Sequence, residues 1–193
     1  MRCLLIVAAA IATSTVVLDN PHVRVFRTDA GALSGVDHGP AVVVSLDNSP
    51  GGSAGRAVWV EDAASSASPM RGSIVIVQPR RQTGTTATPP PVGSKPGDAP
   101  FKGMSFNTTF ENDRVSVIRA RMEVGASEAF HTHASDTVVV HLSGGEIEDT
   151  ADGKTVVNRW KRGDVEFEGR GTSHSARNVG GAVDVVLVAL KPQ

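Results

Sequence analysis

Tyrosine is absent from this 193-residue chain, and only two tryptophans and six phenylalanines are present. A core built from such a sequence must be mostly aliphatic. The single cysteine, Cys3, lies at the extreme start, so the rest of the chain cannot form an internal disulfide. Neither charge sign is in excess: 19 basic against 20 acidic residues leave no broad basic surface for nucleic acid and no acidic tail. The apolar run near the start falls short of the ~20 residues that span a bilayer. Sustained helical periodicity is missing too, which argues against long helices.

What is present points to strands. Valine is the most frequent apolar residue, and its β-branched side chain suits a pleated sheet. Twenty glycines and eleven prolines divide the chain into short segments joined by turns. Asp152-Gly153 predicts a tight hairpin, and Gly144-Gly145 and Gly180-Gly181 predict further reversals. The expected fold class is all-β, a sandwich or barrel.

The first residues, MRCLLIVAAAIATST, combine Arg2 with an apolar stretch from Leu4 to Ala12 and a small-x-small site at Ala10-Ile11-Ala12. Residues 1–12 are therefore expected to be a signal peptide, and the protein periplasmic or secreted. The alternative is a cytoplasmic protein in which this segment is a first buried strand.

Residues 80–100, rich in Pro, Gly and Thr, predict an extended linker between two halves, 16–79 and 101–193. The halves share a pattern. LDNPHVRVFR (Leu18 to Arg27) parallels FENDRVSVIR (Phe110 to Arg119), and VVVSL (Val42 to Leu46) parallels VVVHL (Val138 to Leu142). Trp59 is matched with Trp160, and IVIVQP (Ile74 to Pro79) with LVALKP (Leu187 to Pro192). Where the second half carries two histidine motifs, the first has only His38, which is expected to be a surface residue.

On a strand, His131 and His133 point to one side, with Thr137, Val139 and His141 continuing that face if no bulge intervenes. His174, on a later hairpin, can close a triangle with them. Neutral imidazoles suit Fe, Mn, Ni, Cu and Zn, and three with open positions make a reactive site. The run Gly125-x5-His131-x-His133-x3-Thr137-x6-Gly144 resembles the first cupin motif, G-x5-H-x-H-x3-E-x6-G, with Thr in the Glu position. Gly163-x5-Gly169-x-Gly171-x2-His174-x3-Asn178 resembles the second, G-x5-P-x-G-x2-H-x3-N, with Gly for Pro. The resemblance implies a cupin jelly-roll β-barrel, two in tandem, the N-terminal one degenerate and without a metal site. It also implies one divalent transition metal ion on His131, His133 and His174.

A threonine hydroxyl is a poor metal ligand near neutral pH. Three neutral histidines would then leave the full dipositive charge on the metal, favouring an anionic chelating substrate such as an enolate, a thiolate-carboxylate or a catecholate. Three-histidine cupins similar to this arrangement include Fe(II) dioxygenases. The function expected is thus a metal-binding cupin, an Fe-type oxygenase acting on a small anionic chelating metabolite; the alternative is a non-catalytic small-ligand-binding or sensing module. The expected partner is a small molecule, with a homodimer as a further option.

Other residues are candidates of lower specificity. His141 lies roughly 13 Å along the strand from Thr137, too far for the same metal, and is a candidate pocket group. Arg119 and Arg121 precede the first motif; a substrate carboxylate is one use, a solvated outer face the favoured one. Asn178 is a pocket candidate by motif position, although holding its hairpin is the favoured role. Asp136, beside Thr137, would become a ligand only if a bulge turned it inward. Glu128 is expected to be exposed, with orientation of a ligand imidazole as the alternative. Glu166 and Glu168 alternate with Val165 and Phe167, and the acids are expected outside.

Overall fold

A computed structural model describes residues 14–48, 53–65, 70–80 and 101–192. The expected leader and nearly all of the expected linker lie outside these residues. Among the described residues there is no helix, and hence none long and apolar enough to cross a membrane. The all-β expectation holds.

The first half forms β1 (Thr15–Asp19), β2 (Val23–Asp29), β3 (Ala41–Ser45), β4 (Ala57–Val60) and β5 (Ser73–Pro79). They make one antiparallel sheet in the order β1-β2-β5-β3-β4. The second half contributes β6 (Phe101–Glu111), β7 (Val115–Thr132), β8 (Thr137–His141), β9 (Gly145–Ala151), β10 (Lys154–Trp160), β11 (Val165–Glu168), β12 (Ser173–Asn178) and β13 (Val183–Leu190). These run β10-β9-β12-β7-β13-β8-β11, with β6 on the other edge of β7. The eight strands curl into the jelly roll around an internal cavity.

Strand order shows the repeat directly, because β2-β5-β3-β4 has the connectivity of β7-β13-β8-β11. Local turns repeat as well. Asn20 Oδ1 accepts from the backbone N–H groups of His22 and Val23, and Asn112 Oδ1 from those of Arg114 and Val115. Register corrects two of the expected matches. Trp59 pairs with Val42, but Val138 pairs with Phe167, so the partner of Trp59 in the repeat is Phe167; Trp160 lies on β10, which has no counterpart in the first sheet. Likewise Val25 pairs with Val77 as Val117 pairs with Val188, which slips the last match by two residues. Both misalignments arose from equating conspicuous residues, tryptophans and prolines, across loops of unequal length.

The two sheets pack face to face through one layer of aliphatic side chains. Val23, Val25, Val42, Val44, Val75 and Val77 of the first meet Val115, Val117, Val138, Val140, Val186 and Val188 of the second. Contacts at its margins come in exchanged pairs. The Arg114 guanidinium lies 5.8 Å from the Trp59 ring, while His22, the counterpart of Arg114, stacks at 5.7 Å on Phe167, the counterpart of Trp59. The halves therefore pair as an isologous dimer would, with an approximate two-fold relation.

Burial on both faces explains the unbroken runs VVV and IVIV. The second face of the first sheet carries Phe26, Val43, Ile74 and Ile76, covered by Val36, Ala63 and Met70 from loops. A strand with two covered faces needs no polar alternation.

Gly55 and Gly163 occupy equivalent positive-φ turns, at 81° and 85°. A Cβ at Gly55 would fall 1.8 Å from Arg119 Nη1 and 2.6 Å from Leu142 Cδ1, across the sheet interface. Gly55→Ala is expected to cost about 1–2 kcal/mol from backbone strain alone and to displace Arg119 from its hydrogen bond to Ala54 O. Gly181→Ala, with open space and no positive φ, should be near neutral. Paired chemical denaturation curves for the two variants check this difference.

Candidate metal centre

Strands β7, β8 and β12 bring the motif residues together at one end of the barrel. His131 and His174 are direct partners across β7 and β12. Ring centroids of the His131, His133 and His174 triangle lie 4.8–5.1 Å apart. One ligand nitrogen from each lies within 4.8 Å of the others, the scale of a shared coordination shell with metal–nitrogen bonds of about 2.1 Å.

Two of these rings are already set in the tautomer a metal requires. His131 Nδ1 donates to Ala129 O at 2.9 Å, and His174 Nδ1 donates to Asp149 Oδ1 at 2.8 Å. Each neutral ring then presents Nε2 as a lone pair, and His174 Nε2 is buried without a hydrogen-bond partner. Such an oxygen at the remote nitrogen orients the ligand ring and raises its basicity. Burial, followed by the neighbouring His174 and His131 charges, lowers the pKa of His133 to about 4. His131 is lowered too, mainly by burial. Neutral imidazoles and an orphaned buried nitrogen fit a divalent transition metal.

Two acids border the triad. Glu128 Oε2 lies 3.6 Å from His174 Nε2 and 3.9 Å from His131 Nε2, and Glu168 Oε2 lies 3.4 Å from His133 Nδ1. Burial raises the pKa of both acids, most strongly for Glu168, which also feels Glu166, Glu128 and Asp149. Thr137 lines the cavity, with its hydroxyl 3.4 Å from Ser135 O.

Glu128 was expected to be exposed and instead lines the cavity. The cause is a bulge: His174 pairs with His131, but Ala176 pairs with Glu128, so β7 has one residue more than β12 there. The extra residue places Glu128 on the same side as His131 despite their odd spacing. Glu166 and Glu168 were expected outside and also line the cavity, whereas Val165 and Phe167 pack into the layer between the sheets. Alternation was correct, but the outer face of this barrel is itself a covered, apolar one.

The remaining candidates separate clearly. His141, 1% exposed, faces the cavity. Arg119 and Arg121 point away from it: Arg119 donates to Ala54 O of the first half and pairs with Asp184, and Arg121 pairs with Glu123 and Asp184. Asn178 is a structural clamp, its amide donating to Met122 O, Glu123 O and Gly181 O while its carbonyl accepts from Gly180 N. Asp136 also turns away, pairing with His22 at 3.0 Å and accepting from Arg170 N. His38 sits on the surface beside Asp62. Asp149 was missed, although Ile147 and Asp149 alternate with the exposed-side residues of β9 as inward groups would.

No protein-family model matches the sequence, and neither does any curated protein. Similar solved structures exist. A cupin domain from Bordetella pertussis Tohama I has 24% identity over 47% of this chain and 95% of its own, with a TM-score of 0.44. The polyketide cyclase RemF from Streptomyces resistomycificus has 17% identity over 47% of this chain and 67% of its own, with a TM-score of 0.42. KdgF from Halomonas sp. has 17% identity over 47% of this chain and 81% of its own, with a TM-score of 0.40. These are likenesses of fold.

Asp149→Asn should weaken metal affinity by about 10–100-fold while leaving the three histidines in place, as read by competition with a chelating dye. The depressed pKa of His133 has a consequence for stability. A folded state that prefers the neutral ring keeps its full contribution above the unfolded pKa near 6.5 and loses it as pH falls through about 4. Metal-free protein should therefore lose stability from pH 6.5 to 4 relative to His133→Gln, compared by denaturant midpoints across that range.

Proposed function

We propose that the second half is a metal-dependent oxygenase acting on a small anionic chelating metabolite. The observation that carries this reading is the convergence of three histidines on one end of a cavity of about 230 Å³ whose walls mix Met, Ile, Val and Phe side chains with ionisable ones. His131, His133 and His174 would hold one divalent ion, and imidazole alone is compatible with Fe, Mn, Ni, Cu or Zn. A bound redox-active ion would supply a Lewis acid and open positions for substrate and oxygen.

The chain's own groups account for the rest. Glu128 and Glu168 border the ligand nitrogens, where a chelating hydroxyl would have to give up its proton. Because burial favours the protonated form of both acids, the charge of the metal is left for an anionic chelating substrate to offset. One ionised oxygen with a second oxygen donor, as in a catechol or a 1,3-diketone enol, suits the site.

Elemental analysis of anaerobically purified protein, followed by oxygen uptake with catechol and with acetylacetone, tests the reading. Iron at one per chain with oxygen consumption supports it. Zinc alone, or ligand binding without oxygen uptake, favours a non-catalytic binding module instead. His174→Ala should abolish stoichiometric metal binding, whereas His38→Ala should leave it unchanged. Equal loss after both changes would sink the single-site assignment.

A further inference from the structure

The triad is not the only polar feature of the cavity. His141 also lines it, yet neither ring nitrogen has a hydrogen-bond partner among the described residues. Glu166 Oε2, at 3.9 Å from Nε2, is beyond hydrogen-bond reach. The ring is held flat against Trp160, centroids 4.6 Å apart and planes within 16°. Buried polar groups normally have partners, and one left without is a cost that folding alone does not explain. The internal repeat sharpens the point. Ser45 occupies the equivalent position in the first half: Gly55 N–H donates to Ser45 O as Gly163 N–H donates to His141 O. There the Ser45 hydroxyl is satisfied by Asp47 O. The backbone frame therefore does not demand an imidazole at this place.

His141 lies four residue steps along β8 from Thr137 at the triad end, a strand rise of roughly 13 Å. The lining between them comes from Val139, Leu187 and Ile118, with Glu166 directly across from Val139. We infer that His141 is a second recognition point, hydrogen-bonding an oxygen at the far end of an elongated, flat ligand whose chelating end occupies the triad. The ligand class is a conjugated compound with two adjacent oxygens at one end and a hydroxyl or carbonyl at the other. Trp160 fixes the imidazole plane. This deepens the preceding proposal and rests on the triad as the chelating end.

The test compares 3,4-dihydroxybiphenyl with 3,4,4′-trihydroxybiphenyl, binding to zinc-loaded full-length protein by titration calorimetry. Zinc keeps turnover out of the measurement, so a failed oxygenase assay does not decide it. The extra hydroxyl should tighten binding about tenfold in the wild type, the worth of one buried hydrogen bond. In His141→Phe, which keeps the stack on Trp160, that gain should vanish while 3,4-dihydroxybiphenyl binds unchanged. A gain that persists in His141→Phe overturns the inference, as does failure of both compounds to bind. The ligand-free variant supplies an independent readout: its thermal midpoint should rise, because an unpartnered polar ring has been replaced by an apolar one. A fall would show that His141 serves the fold, and would overturn the inference.

Discussion

One layer of valines between two sheets sets the terms for everything else in this molecule. Each buried valine contributes about 1.5–3 kcal/mol relative to exposure, and the layer draws them from both halves of the chain. Because β7, β8, β11 and β13 place their apolar residues on this outer face, their other face is released from holding the protein together. That inner face can then carry histidines, glutamates and Thr137 around a cavity. The first half is accordingly best understood as the cover that makes the second half's outer surface a core.

The approximate two-fold relation shows how far the halves share a frame and where they part. Backbone hydrogen bonds, asparagine turns and interface glycines recur at matched places. Side chains on the face away from the interface do not. The first half fills that face with Phe26, Ile74 and Ile76 under loops; the second leaves it open and lines it with ionisable groups. The difference in chemistry lies in side chains and added strands, since β9, β10 and β12 have no counterpart in the first sheet.

Within the site, the groups around the triad come from spatial rather than sequential neighbours. Glu128, from a bulge, and Glu168, from β11, border the histidines, while position 137 carries no carboxylate. Asp149 fixes one histidine ring through a hydrogen bond across the sheet. Buried acids with raised proton affinity beside buried imidazoles with lowered affinity form a set that gains from an added cation. A cation there would also give the orphaned His174 Nε2 a partner.

Strand alternation by itself determined that His131 and His133 share a face and that Val138 and Val140 oppose His141. These follow from a period of two, which is local; His174 was legible only through the resemblance of its motif. Tertiary structure alone decided which face of each strand looks into the cavity. Glu166 and Glu168 were placed outside because a barrel's outer surface ordinarily meets water; here it meets another sheet, so polarity no longer marks the outside. The bulge that turns Glu128 inward depends on counting residues against a partner strand more than forty positions away. Alternation is written in neighbouring residues, but register and burial are properties of pairs that only folding brings together.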